Sequence, residues 1–376
     1  MKRRASVAAL ILLVALGTSL FTYLFWIRGA HHRDFYPRWA GARRVLLGDR
    51  DLYSEEATQA MQMMLYGELI PPDRDQQGFA YPATLLPLLL PFALIADVEI
   101  ATAIWVGISV GLMIVGLWLL QSRNNEISAR RVAFSILWYF SLLMIFQGQI
   151  TGIVLAGLAV GFWSLETDRA LLGGLVCSLT LVKPELALLP VCTLVVLSLL
   201  RKKHQFPLGV LLGSLVLVLV SMALVGFWFA EWFDALVRYS QYAKVVWPVS
   251  MLFDASPFFG ILALLVMILA VYSVRHSADY LFSLSIALSY LLLPQTLIWG
   301  LSLLLVPMNL LWTRQTRIPI ILVWLAGWGS IFGNLTNANP NWWMVQVILF
   351  SLSILALVFY SRALTFREKR ALRGAA

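Results

Sequence analysis

Few residues in this 376-residue chain are equipped for chemistry, and they stand in short polar breaks between long apolar runs. The first break reads His31-His32-Arg33-Asp34-Phe35-Tyr36-Pro37-Arg38-Trp39. Asp34 lies seven residues past an apolar run at 5–27, close enough to a membrane surface to meet a lipid headgroup. A carboxylate so placed either takes the proton of an acceptor hydroxyl as a general base or is a solvated acid paired with Arg33 or Arg38. Arg43 and Arg44 follow in the stretch WAGARRVLL at 39–47. Ala42, Val45 and Leu46 there form one face of a short membrane-lying helix, so the two arginines either meet phosphates or rest on lipid headgroups. Gln147 and Gln149 bracket Gly148, and amides in such a turn bind sugar hydroxyls or satisfy turn backbone. Lys183 closes an apolar span and is either a point-charge partner for phosphate or the internal partner of Glu185. Gln295 and Trp299 stand in LLLPQTLIWG, where the tryptophan either anchors a helix at the interface or stacks on a sugar. Adjacent His31 and His32 do not share a helix face, and no metal-ligand spacing occurs, so neither a metal nor a cofactor is expected.

The elements that position these groups are helices in lipid. Hydrophobic residues make up 60% of the chain and charged residues 12%. Soluble domains hold about 45–50% and about 25%, so no water-soluble fold of this length hides so much apolar side chain. The apolar blocks run roughly 17–22 residues, the length that crosses a bilayer as helix. In hydrocarbon every backbone amide must be satisfied internally, and the short alternating segments of a barrel are missing. Spans are predicted at 5–27, 101–121, 132–147, 150–165, 170–182, 186–200, 206–227, 258–274, 279–293, 297–312, 318–333 and 342–361. The expectation is an all-α polytopic membrane protein of about 12 transmembrane helices, forming a single domain over 1–376 with a basic tail at 362–376. Cys177 and Cys192 fall in or beside spans, which argues against a disulfide or a zinc site. The net charge of +9 is scattered between apolar blocks, so it reads as a topology signal and not as a nucleic-acid surface.

Segment 80–96 decides the topology, because every later loop changes side if it crosses. With 80–96 dipping in and returning, the cytoplasmic segments hold 18 of the 28 lysines and arginines. If it crosses, Arg201-Lys202-Lys203 and the basic C-terminus move outside, against the positive-inside rule. It is therefore a re-entrant or interface-lying helix broken by Pro82, Pro87 and Pro91, within an outer loop at 28–100. Met1-Lys2-Arg3-Arg4 ahead of a long run without a small-x-small pattern indicates an uncleaved first helix. Both termini are then cytoplasmic, and Asp34, Gln149, Lys183 and Gln295 all open on the outer face of a plasma-membrane protein. The cytoplasmic connections are short and basic, with no Gly-rich phosphate loop, so substrates must come from the lipid or from outside. An outward-facing enzyme fits better than the alternative, a transporter or flippase of lipid-linked or small polar substrates. That alternative requires mid-span charges and pseudo-symmetric halves, and the chain has almost no mid-span charges and no internal repeat.

Several short motifs occur in a telling order: Asp34 with Trp39-Ala40-x-Ala42, Leu47-Gly48 and Tyr53, then Phe79-x-Tyr81-Pro82, Gly148-Gln149, Gly173-Gly174 and Lys183-Pro184. In this order and spacing the chain resembles glycosyltransferase family 87, over roughly residues 30–310. The resemblance implies a GT-C-like helical bundle with interface helices in the first outer loop. It implies a polyprenyl-phosphate sugar donor, a lipid or glycan acceptor, membrane lipids as surroundings, and transfer of a hexose such as mannose with inversion. The acid of the first outer loop serves such enzymes as base and falls on Asp34. Lys183, with Arg43 or Arg44, would then steady the leaving phosphate, and Tyr81, Gln149, Gln295 and Trp299 would line the substrate site. The chain departs from the family pattern at Ala83, at Ile150-Thr151, and in lacking a histidine between Pro294 and Trp299.

Overall fold

Apolar runs with no alternating pattern leave a chain one way to satisfy its amides in lipid, and the described residues contain helix and no strand. A computed structural model describes residues 2–26, 34–72, 74–123, 127–242, 247–294, 298–336 and 340–374. The first half holds α1 (Lys2–Phe21), α2 (Phe35–Leu46), α3 (Glu55–Tyr66), α4 (Leu86–Ala93), α5 (Val98–Ser122), α6 (Ala129–Ile136), α7 (Tyr139–Phe146), α8 (Thr151–Ser164) and α9 (Ala170–Ser178). The second holds α10 (Pro184–Leu200), α11 (Gln205–Val225), α12 (Phe229–Tyr242), α13 (Pro248–Ala255), α14 (Pro257–Val274), α15 (Ala278–Leu292), α16 (Leu305–Leu310), α17 (Arg317–Thr336) and α18 (Pro340–Gly374). Tight 3₁₀ turns at 83–85, 179–182 and 298–304 lead into α4, α10 and α16.

Each predicted span coincides with helix, but only part of the count of twelve stands as whole crossings. Among the described residues four helices are long and apolar enough to cross alone: Val98–Ser122, Gln205–Val225, Pro257–Val274 and Trp342–Phe366. α6 and α7 make a fifth only as a pair bent by 63°. The segments at 151–164, 170–182, 184–200, 278–292 and 298–310 are apolar but shorter. The bend between α6 and α7 divides the predicted span 132–147, while the break at Lys183-Pro184 falls between the predicted spans 170–182 and 186–200. A residue before proline is pushed out of the helical region, and Lys183 accordingly sits at φ −129°, ψ 74°. The segment at 83–93 rises only roughly 16 Å at about 1.5 Å per residue, too short to cross. It packs on α2, and Trp39 Nε1 donates to the carbonyls of Phe92 (3.2 Å) and Ile95 (3.1 Å) at its end.

Two apolar cores result. The larger joins α5, α7, α8, α10, α15, α16 and α18. The smaller is built by the 34–105 region around Phe35, Trp39, Leu52, Met61, Phe79 and Trp105, and it reaches Val225 and Trp228. The expected outer loop is thus a folded cap with its own core. Ser54 caps α3, its hydroxyl oxygen accepting from the Ala57 N–H (2.9 Å), and Gly67 ends it at φ +72°. Within the bundle α9 and α11 meet backbone to backbone, since a Cβ on Gly174 would strike the Phe206 carbonyl and one on Gly209 the Leu171 carbonyl. Gln121 on α5 donates to Asn309 on α16 (3.0 Å), and Asn309 donates to Ser135 on α6 (3.1 Å), a buried polar tie between three helices. α11 and α14 turn Leu211, Leu215 and Leu219, and Ile261, Leu265 and Leu269, outward as a surface suited to acyl chains.

Candidate active site

α2 begins with Phe35 and repeats apolar contacts at Trp39, Ala42 and Val45, so one face is bound to be buried. Arg38 falls on that face, three residues after Phe35, and is 0% exposed. Pro37 is tolerated because it lies in the first turn, where backbone N–H groups have no intrahelical partner. Asp34 stands at the N-cap position, yet its side chain makes no capping bond. The carboxylate instead accepts from the Gln149 amide through Oδ2.

Gln149 comes from the turn between α7 and α8. Gly148 there adopts φ +62°, which favours glycine, and a Cβ on it would stand 3.0 Å from Phe35 Cβ. The Gly148 carbonyl accepts from Arg38 Nη1 (3.0 Å) and Trp105 Nε1 (2.8 Å), and Trp105 stacks on Phe35 at 4.9 Å. The turn is therefore pinned to α2 and α5. Gln149 Oε1 faces two cations: it accepts from Arg38 Nη2 (3.1 Å) and from Lys183 Nζ (3.3 Å). Lys183 also lies 3.9 Å from Glu185 Oε1. Arg38 Nη2 donates to the Tyr81 hydroxyl, and the guanidinium lies 4.4 Å from the Tyr81 ring centre.

These groups border a cavity of about 410 Å³. Asp34, Tyr81, Gln149, Lys183 and Glu185 form its polar end, with Asp75 and Gln77 beside them. Val182, Leu186, Leu188, Leu293 and Trp299 contribute apolar lining. α12 supplies Trp232, Leu236 and Tyr239 and is tied down by Trp232 Nε1 to the Ala80 carbonyl (3.2 Å) and by Arg238 to the Tyr53 carbonyl. Burial pushes the Asp34 carboxyl above its ordinary value, against the opposing pull of Arg38 and Lys183. Burial likewise pushes the Tyr81 hydroxyl up to about 12, so it stays protonated.

Asp34, Tyr81, Gln149, Lys183 and Trp299 of the sequence reading thus line one cavity. Arg43 and Arg44 lie elsewhere. Arg43 Nη1 donates to the Ala93 carbonyl at the end of α4 (2.8 Å), while Arg44 donates to the Ala57 carbonyl (2.7 Å) and pairs with Asp49. Both arginines hold the cap together. Gln295 lies outside the described residues. Arg38, Asp75, Trp232 and Tyr239 were missed as site residues. A charge on the apolar face of α2 marks Arg38. The amphipathic run FAEWFDALVRYSQY marks α12, which falls between the predicted spans 206–227 and 258–274.

The family model for glycosyltransferase family 87 matches residues 79–311, more than half of the chain. The chain belongs to glycosyltransferase family 87. Comparison with curated proteins and with solved structures returns no match. The family match covers Tyr81, Gln149, Lys183, Glu185 and Trp299, whereas Asp34 and Arg38 precede it. Membership in family 87, together with the apolar helices, makes this a membrane glycosyltransferase.

Proposed function

We propose that this membrane glycosyltransferase moves a hexose, mannose among the candidates, from a polyprenyl-phosphate donor to an acceptor hydroxyl on the non-cytoplasmic face, with inversion. The observation that carries the reading is the meeting of Asp34 and Lys183, through Gln149, on the wall of one cavity with both a polar and an apolar side. Its volume falls within the roughly 300–1,000 Å³ of small-molecule sites. The acceptor oxygen attacks the anomeric carbon, its proton passes to Asp34, and the carbon–oxygen bond to phosphate breaks with the electron pair leaving on polyprenyl phosphate. Gln149 fixes Asp34 by Oδ2 and presents Oδ1 to the acceptor. An acid raised by burial is a better base than a solvated one. The leaving phosphate is a weak base that needs charge stabilisation more than a proton, and Lys183 is the cation on the wall. Trp299 and Trp232 offer flat faces to a sugar, while Val182, Leu186 and Leu188 suit an isoprenoid chain. The distribution of lysine and arginine between the connections supports a topology with both termini in the cytoplasm and the cavity outside.

The test is release of polyprenyl phosphate from a panel of synthetic polyprenyl-phosphate sugars, wild type against Asp34→Asn. Release by wild type and loss in the variant supports donor class and base together. Equal release by both moves the base to another residue. No release by folded wild-type protein, with acceptors supplied, sinks the donor assignment.

A further inference from the structure

The amide of Gln149 has only one workable orientation. Its oxygen meets two cationic donors, Arg38 Nη2 at 3.1 Å and Lys183 Nζ at 3.3 Å, and its N–H₂ meets the Asp34 carboxylate. Turned over, the amide would set N–H against both cations and oxygen against the carboxylate, which is unfavourable at every contact. The side chain is 2% exposed and both ends of its amide are taken up by protein groups, so it is poorly placed to serve a sugar hydroxyl. It stands as a neutral spacer with its dipole aligned between a carboxylate and the cations that would otherwise pair with it.

We propose that Gln149 is a positioning residue, which fixes Asp34 toward the acceptor and keeps it from collapsing into an ion pair with Arg38 or Lys183. This rests on the reading of Asp34 as the base. A direct ion pair would lower the basicity of the carboxylate and turn it away from the acceptor. Among the described residues, the charged and titratable groups facing Asp34 are Arg38 on α2, Lys183 before α10, Asp75 and Tyr81 in the cap, Tyr66 on α3 and Tyr239 on α12. With Gln149 removed, the nearest route to compensation for Asp34 is one of the two cations.

The experiment compares wild type, Gln149→Ala, Gln149→Glu and Asp34→Asn in detergent or nanodiscs. It follows polyprenyl-phosphate release against pH and the infrared band of the protonated carboxyl that Asp34→Asn removes. In Gln149→Ala the acid limb of kcat/KM and the infrared titration both move to lower pH, by about one unit. At the same time kcat falls at least about tenfold while donor KM changes less than about threefold. An unmoved limb with lowered stability makes Gln149 merely structural and overturns the proposal. A raised donor KM with an unmoved limb makes it a sugar ligand and overturns it equally. If Gln149→Ala does not fold, the near-isosteric Gln149→Glu carries the test, its added charge driving the limb to higher pH, and an unmoved limb there also overturns the proposal. Turnover retained by Asp34→Asn overturns the base reading and this one with it. That outcome is distinct from failure of Gln149 alone, in which Asp34→Asn is dead and Gln149→Ala keeps the wild-type profile.

Discussion

Two clusters of charge stand at different places in the molecule, and they treat their acids in opposite ways. Beyond the end of α5, Arg123 pairs directly with Glu166 and with Asp279 (2.7 Å), joining α5, the α8–α9 connection and α15. Its guanidinium also lies 4.1 Å from the centre of the Phe162 ring, which stacks on Phe282 at 4.5 Å. The hydrogen bond from Arg123 holds the Glu166 carboxyl below the usual carboxylate range. At the cavity, the carboxylate of Asp34 meets an amide in place of a cation, and burial pushes it upward. The same residue types therefore make a staple where they touch and, on the proposed reading of Asp34 as the base, an acid poised to take a proton where a neutral group keeps them apart. Direct pairing stabilises the charged form and makes it inert, while separation in an enclosed site leaves it reactive.

The largest effect separating the two clusters is expected from Asp34→Asn. Transfer should fall by about 1,000-fold, the range of a lost general base, with the melting temperature held or raised. A variant that keeps wild-type turnover ends the comparison, because Asp34 is then only another structural acid. Lys183→Ala should reduce kcat/KM by about 100-fold through lost stabilisation of the departing phosphate, measured as polyprenyl-phosphate release under single-turnover conditions. An unchanged rate would make Lys183 an internal partner of Glu185 and nothing more.

Acid pH should separate the clusters without a mutation. Asp34 ionises above its ordinary value, so turnover is lost as pH falls through that raised pKa. Its protonation favours the folded state, since the folded chain binds that proton more tightly than the unfolded one. Glu166 has the opposite sign. Its contribution to stability is full above its unfolded pKa and is lost only as pH falls through its lowered folded value. Activity should therefore disappear at a higher pH than thermal stability does, and coincident loss of the two would contradict the contrast. A smaller effect is expected at the staple itself. Arg123→Ala should cost about 1–2 kcal/mol of stability, a discounted figure because Glu166 and Asp279 are 38% and 40% exposed. The folded fraction should keep its kcat. The smallest loss of stability belongs to Arg43→Ala, which removes a bond to the Ala93 carbonyl and should cost about 1 kcal/mol with activity within about threefold. A hundredfold loss there would place Arg43 in contact with substrate.

Much of this is legible in the sequence. Composition and block length dictated helices in lipid, because an apolar chain has no other way to satisfy its amides there. The order of short motifs pointed to glycosyltransferase family 87, which the match over 79–311 bears out. Polar residues at the ends of apolar runs marked Asp34, Gln149 and Lys183. The breaks at Lys183-Pro184 and Pro294 were legible as proline-marked gaps between spans, whereas the bend between α6 and α7 falls inside the predicted span 132–147 and depends on packing that a sliding average smooths away. Nor could hydropathy separate Arg38 from Arg43 and Arg44, three arginines on one short helix. Helical phase alone brings Arg38 to the buried face, and only the α7–α8 turn carrying Gly148-Gln149 provides it with partners. The cavity itself belongs to tertiary structure, since its walls come from segments near residues 34, 81, 149, 183, 232 and 299. Residue type and spacing along the chain determined which groups were capable of chemistry. Which of them met across a neutral amide, and which were spent holding helices together, was decided by the packing of helices distant in sequence.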